Sequence, residues 1–454
     1  MFKEAHVVVS DLGSAHYRAS RLAALRALET TKPVSGSNTE TAKKNAVPTS
    51  EAKYSDDEEE EEEEEVTPKP KTRRSLQIVY FFGTVLRIIL MPTSLLFLIF
   101  SCTKKQCTVL DTPQFYSKWR DFFNSIIIPL SSVIAFHLFQ SILALIPLGR
   151  KVTGFPFDAK KITLEYRLNG FLCLIFSVLG FSIPAYLGFY MNWGYDKFKA
   201  IGLSCAIYSV LFALILHIIS TVKGHGVVQS KVPVLGNFYN GVYINPVLFG
   251  KVDIKTSFIR AGLIGSALIN LSILLKLFLM KGYITIPLAS TAGMQIFFVF
   301  DLLFREEKLL STATYTSDTI GYGFIMTNAF LIPIGLALQN IYLFIFEAKA
   351  STIPHWYSAA ILCIFLTGYY IYLTSSNLKH NFRRNPFSSS LADVASIPTS
   401  QKKRLIASGL WGVIRHPNYL GLLIMAVAWT LPCGVYKIRI LCSVYFFSAS
   451  YQNN

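Results

Sequence analysis

Gln77-Ile78-Val79-Tyr80-Phe81-Phe82-Gly83-Thr84-Val85-Leu86-Arg87-Ile88-Ile89-Leu90 runs on to Met91-Pro92-Thr93-Ser94-Leu95-Leu96-Phe97-Leu98-Ile99-Phe100-Ser101, 25 residues with a single charge. A helix needs about 20 predominantly apolar residues to cross the hydrocarbon core. Similar runs recur at roughly 123–147, 168–191, 200–221, 258–280, 283–304, 321–346 and 357–374. A last stretch at about 419–448 reads as a hairpin broken at Pro432 and Gly434. The chain has 454 residues, a mean hydropathy of +0.42, 52% hydrophobic and 15% charged residues. That balance excludes an ordinary soluble domain. The expected fold class is an all-α polytopic membrane protein of 8–10 transmembrane helices with a disordered N-terminal tail.

Two regions divide the chain: a tail over 1–75 and a membrane domain over 76–454. Residues 1–76 hold 12 Lys+Arg against 15 Asp+Glu, a net of −3, so the remainder carries +19. The acidic run Asp56 to Glu65 produces the deficit; without it the tail would be +7. Pro33, Gly36, Pro48, Pro68 and Pro70 among many polar residues leave too little apolar surface for a folded core. Only Arg18 to Thr30, with Leu22, Ala23, Leu25, Ala27 and Leu28, has a short helical pattern, marginal in water unless a partner holds it. The polar opening residues predict that the first spanning helix serves as an internal signal anchor.

Loop charge orients the chain. Counting the tail side as inside, the inside loops are 148–167, 222–257, 305–320 and 375–418. The first carries Arg150, Lys151, Lys160, Lys161 and Arg167. The last carries Lys379, Arg383, Arg384, Lys402, Lys403, Arg404 and Arg415 against Asp393 alone. The outside loop 347–356 is poorer in cations, and Lys69, Lys71, Arg73 and Arg74 flank the first span. Tail and basic loop are therefore expected on the cytosolic or nucleoplasmic side. The seven cysteines show no metal-ligand spacing such as CxxC and read as packing residues; Cys102 and Cys107 suit a local disulfide only in an oxidising lumen.

Within the basic region, Lys379-His380-Asn381-Phe382-Arg383-Arg384-Asn385-Pro386 precedes Gly409-Leu410-Trp411-Gly412-Val413-Ile414-Arg415-His416-Pro417-Asn418-Tyr419-Leu420-Gly421. Guanidinium groups beside aromatic planes suit an anionic, phosphorylated ligand. Positive-inside topology and lipid headgroups explain bare cation clusters equally well. The added Trp411, His416, Asn418 and Tyr419 exceed what topology requires.

From about Phe81 to Pro432 the chain resembles the sterol C14-reductase and lamin-B receptor family. The pieces that carry the resemblance are Tyr166-Arg167-Leu168-Asn169-Gly170-Phe171, Asn245-Pro246, Glu306-Glu307 with Leu309-Leu310, Asn385-Pro386, and Arg415 through Gly421 with Ala428-Trp429-Thr430-Leu431-Pro432-Cys433-Gly434. Pro147-Leu148-Gly149-Arg150 and Gly154 are similar to the lamin-B receptor branch. The resemblance implies ten spanning helices, an NADPH site, and reduction of a sterol ring double bond by protonation and hydride delivery. It places Lys379, Phe382, Arg383, Trp411, Arg415, His416, Asn418 and Tyr419 around the cofactor and Asp318 as the acid facing the sterol. No metal is implied.

The chain departs from the family pattern at many polar positions. Gly241-Val242-Tyr243-Ile244-Asn245-Pro246-Val247 stands where the family reads Gly-Arg-Glu-Leu-Asn-Pro-Arg. Thr314 and Ser317 replace an Asp and a His, and Asn328 replaces a second Asp. Leu373 and Ser376 replace an Arg and an Asn, and Leu422 an Asp. The family's closing His-Arg, Lys-Tyr-Gly, Trp and Tyr-Cys segment has no counterpart before Asn454. One charge-assisted contact is worth a few kcal/mol, on the order of a hundredfold in rate or affinity. The expectation is therefore a chain that has lost catalysis and acts as a lamin-B-receptor-like tether of the inner nuclear membrane and endoplasmic reticulum.

On that reading the tail reaches nuclear lamin and chromatin. Its acidic run suits a basic histone tail, and its net charge leaves direct DNA binding weak at most. The alternatives are an NADPH-dependent Δ14-sterol reductase, and a membrane protein that senses lipid or sterol without turnover.

Overall fold

The computed structural model describes residues 70–102, 119–157, 163–223, 234–248, 252–350, 353–398 and 404–433. The helix expected at Arg18–Thr30, the acidic run, and the second half of the hairpin expected over 419–448 lie outside these residues.

Nine apolar helices make the membrane domain among the described residues. They are α1 (Pro70–Ser101), α2 (Trp119–Leu145), α3 (Gly170–Tyr186), α4 (Phe198–Lys223), α5 (Ile254–Lys281), α6 (Ile286–Phe304), α7 (Tyr322–Ile345), α8 (His355–Arg384) and α9 (Pro417–Thr430). All except α3 and α9 are long and apolar enough to cross a membrane. Short antiparallel ribbons punctuate them: β1 (Arg150–Thr153) with β2 (Glu165–Leu168), and β3 (Val247–Leu248) with β4 (Val252–Asp253). In sequence between α8 and α9, β5 (Ser396–Pro398) pairs with β6 (Arg404–Ile406) in a separate compact unit.

Helix α5 is the hub, packing against α2, α3, α6 and α7. Its start is fixed by the Asp253 carboxylate, which accepts from the Thr256 backbone N–H at 3.0 Å. Its end is a left-handed Gly282, whose N–H caps Phe278 O at 2.8 Å. Where α5 meets α7 the backbones nearly touch: a Cβ at Gly262 would lie 2.2 Å from the Asn328 carbonyl oxygen. That oxygen belongs to a π-helical turn, Thr327–Leu331, inside α7. Bulges of this kind are rare and cluster at functional sites.

Two sequence expectations on element limits need correction. The span expected over 168–191 stops at Tyr186, after 17 residues. Beyond Pro184 the chain closes a turn in which Gly188 N and Phe189 N bond back to Ala185 O and Pro184 O, at 3.2 and 2.9 Å. Conversely, residues 375–384, assigned to an inside loop, continue α8. Arg383 and Arg384 occupy its last turn, where cations suit the helix dipole, and the helix ends at Asn385 before Pro386. Lys379, Phe382 and Arg383 are therefore held on a rigid helix.

Cys102 is disulfide-bonded, whereas Cys173, Cys205, Cys363 and Cys433 are free.

Candidate functional site

The quoted motifs converge on one buried cation. Arg260, one of four cations in α5, is 2% exposed. Its Nε donates to Glu306 Oε1 at 2.6 Å and its Nη2 to Glu306 Oε2 at 2.9 Å. The same guanidinium donates to Asn169 Oδ1 at 2.5 Å and to the Arg167 carbonyl at 2.8 Å. Gly170 N–H completes the Glu306 carboxylate at 3.0 Å, and Asn169 Nδ2 reaches the carbonyls that end α2. The Arg-Leu-Asn-Gly piece and the first glutamate of the Glu-Glu pair thus form a structural cage. The second glutamate, Glu307, pairs with Arg150 and Arg384.

A second buried cation organises the turn after α6. Lys255, 1% exposed, donates to Thr314 O at 2.8 Å and Asp318 O at 2.7 Å, and lies over the Phe157 and Tyr315 rings. Tyr315 is buried, which pushes its hydroxyl pKa well above the usual value. Burial likewise raises the Asp318 carboxyl to about 6, against an opposing pull from Lys255. Among the described residues its Oδ2 has no hydrogen-bond partner.

Below this turn lies a first apolar cavity of about 290 Å³, between α5, α6, α7, α8 and α9. Thr314, Tyr315, Asn328, Ser376, Asn418 and Tyr419 supply polar groups to a wall otherwise made of residues such as Leu263, Phe298 and Leu336. A polar recess of about 40 Å³ adjoins it, lined by Lys308, Leu373, Ser376, Lys379 and Asn418 among others.

Of the sequence-derived site residues, Lys379, Asn418 and Tyr419 meet here. The His416 ring lies 5.2 Å from that of Tyr419. Its pKa is lowered by burial, then by the nearby charges of Arg415 and Lys379, so the imidazole is neutral at pH 7. Trp411 Nε1 donates to Ser375 O at 3.3 Å, Arg383 bonds Ser311 O, Phe382 is buried, and Arg415 is exposed. Asp318 stands in the turn above, outside the residues that line the cavity. The substituted positions Thr314, Asn328, Leu373, Ser376 and Leu422 do gather on the walls of the cavity and recess. Sequence reasoning missed Lys255, Arg260 and Asp301; cations and acids inside apolar runs were the signal that pointed to them. In the Gly241–Val247 piece, Asn245 Nδ2 now donates to Asp253 Oδ2 at 2.9 Å, and Ile320 N–H to Tyr243 O at 2.9 Å.

The described residues do not fit the whole of NADPH. Arg305 is paired with Asp301 and Tyr369, Lys308 with Asn377, and Arg383 with a carbonyl, so these cations are already engaged. The recess at Lys379 and Asn418 has room for little more than a water or two. A wider cleft of about 520 Å³ carries Arg150, Arg305, Lys308 and Arg384 against Glu306 and Glu307, but Arg150 and Arg384 are paired with Glu307, Arg305 with Asp301 and Lys308 with Asn377. Among the described residues the buried Asn418 Oδ1 accepts no hydrogen bond.

Fold and cavity together define a polytopic helical membrane protein built around a lipid-sized, largely apolar chamber. The ergosterol biosynthesis ERG4/ERG24 family model matches residues 75–451, and the chain belongs to that family. It is 30% identical over 392 residues to Delta(14)-sterol reductase LBR of Gallus gallus, covering 84% of this chain and 59% of the relative. Against Delta(14)-sterol reductase TM7SF2 of Mus musculus it is 28% identical over 378 residues, 81% of this chain and 87% of the relative. Delta(14)-sterol reductase erg24 of Schizosaccharomyces pombe is 30% identical over 292 residues, 63% of this chain and 68% of the relative. The chain thus spans less than two thirds of the length of the chicken relative.

Proposed function

We propose that this chain is a lamin-B-receptor-like protein of the inner nuclear membrane and endoplasmic reticulum. Its membrane domain holds a neutral lipid or sterol without reducing it, and its tail over 1–75 tethers lamin and chromatin. The carrying observation is the chemistry of the first cavity. Among the described residues no carboxylate lines it: Thr314 and Asn328 stand on the wall while Asp318 stands outside. Protonating a buried alkene requires a positioned acid; the carboxylate of the adjoining recess, Asp301, is ion-paired with Arg305, and Tyr315, Tyr372 and Tyr419 on the wall offer only weakly acidic hydroxyls. The tether half of the reading rests on resemblance to the lamin-B receptor branch and on the acidic run Asp56 to Glu65, which suits a basic partner.

The second reading is an NADPH-dependent Δ14-sterol reductase. It is favoured by the names of the relatives and by Lys379, Asn418 and Tyr419 meeting beside the cavity. Expression in a yeast strain lacking its own C14-reductase separates the two. The tether reading expects no ergosterol; growth that Arg415→Ala abolishes establishes the reductase instead.

A further inference from the structure

A second apolar cavity, about 320 Å³, lies between α2, α3, α4, α5 and α7. It shares only Asn328 with the first, so the π turn of α7 is the partition between them. Its volume falls within the range of small-molecule sites. Val133, Phe136, Phe181, Trp193, Ile201 and Ile269 give it an apolar lining, and among the described residues no charged side chain reaches its wall.

Most polar groups on that wall are already used. Ser132 donates to Ile128 O at 2.9 Å, and Ser272 Oγ accepts from Tyr195 N–H at 3.3 Å. Tyr190 donates to Asp196, and Asn328 Nδ2 donates to Phe324 O at 2.9 Å. Among the described residues two nitrogen-bearing side chains on the wall make no hydrogen bond, the half-buried Trp193 indole and the buried His137. His137 is 8% exposed, and its ring is clamped by those of Tyr208 at 4.7 Å and Phe258 at 4.9 Å. Its imidazole forms no hydrogen bond to the described residues, where only its backbone carbonyl is engaged, by Ser141 at 2.8 Å. A buried polar group left unpaired in a hydrocarbon surround costs a few kcal/mol, so a partner has to come from the cavity.

We propose that this cavity binds a neutral lipid with a single hydroxyl group, and that the hydroxyl hydrogen-bonds the His137 imidazole. The uncharged wall disfavours a fatty-acid carboxylate or a phosphate inside. One buried hydrogen-bonding imidazole on an otherwise apolar wall matches the head of a 3-hydroxysterol or of a long-chain alcohol. The site is independent of whether the first cavity supports turnover.

The test uses the full chain in sterol-free nanodiscs with two photoreactive probes, a diazirine 3-hydroxysterol and a diazirine hexadecanol, followed by peptide mapping. Adducts are expected in the Val133–His137 and Ile201–Cys205 segments, from whichever probe is the natural shape. Unlabelled probe should compete at least about tenfold better than its counterpart lacking the hydroxyl, the worth of one buried hydrogen bond. His137→Phe should lower labelling by a similar factor. Gly265→Leu should fill the slot and abolish labelling, since its new Cβ meets Phe136 only at an ordinary 3.4 Å. Equal competition by the hydroxyl-free counterpart in the unmodified protein overturns the proposal without depending on either variant. So does labelling confined to the walls of the first cavity.

Discussion

Arg260 and Glu306 face each other as a bidentate pair, 2.6 and 2.9 Å apart, with both side chains almost wholly enclosed. The pair joins α5 to the turn after α6 and, through Asn169 and the Arg167 carbonyl, to the start of α3. Removing one member strands the other charge. Glu306→Gln should destabilise the protein by about 3–5 kcal/mol, seen as a large drop in melting temperature in detergent. Arg260→Met combined with Glu306→Leu should recover part of that loss. If the double variant melts as low as the sum of the single ones, the pair is not a coupled unit.

The crossing of α8 and α9 depends on two glycines. A Cβ on Gly421 would lie 2.4 Å from Tyr372 N and 2.6 Å from Gly368 O, contacts no side chain can make. Small residues permit such backbone approaches in membrane bundles. Gly421→Val should therefore force the helices apart at a cost of about 1–3 kcal/mol. Shorter retention as a monodisperse species on size exclusion is the expected readout. Unchanged stability would show that the helices have slack.

Asn270, Gln295, Gln339 and Asn340 form a chain of amides linking α5, α6 and α7, with bonds of 2.5–2.9 Å. Interhelical hydrogen bonds inside membranes average about 0.6 kcal/mol and rarely exceed about 1.7. Asn340→Leu should accordingly cost roughly 1–3 kcal/mol, because Asn270 Oδ1 loses its donor and Gln295 Oε1 one of its two. A thermal shift as large as that of Glu306→Gln would show that the network carries far more than its parts.

Asp318 supplies a pH dependence. Its folded pKa is about 6 against an ordinary 3.8, so the folded state holds the proton more tightly than the unfolded state. Stability from this group is therefore greatest below pH 4 and falls as pH rises towards and past 6, by at most about 3 kcal/mol. Asp318→Asn should raise the melting temperature at pH 7.5 and flatten the decline measured between pH 4 and 7. An unaltered pH profile in the variant would assign the titration elsewhere.

Deleting residues 1–75 should release the protein from detergent-resistant nuclear material while leaving the membrane domain folded. Equal extraction with and without the tail counts against tethering.

How far the sequence carried depended on the range of the contact involved. Apolar length alone located α1, α2, α4, α5 and α6 closely, because a membrane imposes a minimum run. It missed the early stop of α3, which rests on turn bonds around Pro184 and Gly188, and the continuation of α8, whose polar last turns carry no hydropathy signal. The motif residues were visible, but the reason for Asn169-Gly170 was not. That reason is Arg260, 91 residues from Asn169, and no periodicity reveals such a partner. Gly421 likewise read as part of a ligand-binding motif, and its backbone contact with α8 gives it a packing role. Asp318 was legible as an acid but not in its orientation, which follows from the grip of Lys255 on the turn.

The early stop of α3 also bears on the surrounding lipid. Seventeen helical residues rise about 26 Å, short of the roughly 30 Å of an average hydrocarbon core and close to the ~27 Å of the endoplasmic reticulum bilayer. Exposed Tyr186, Leu187, Phe189 and Tyr190 follow at its end, where ring-bearing side chains favour the headgroup level. On this flank a thick, sterol-rich bilayer would have to thin to meet the protein.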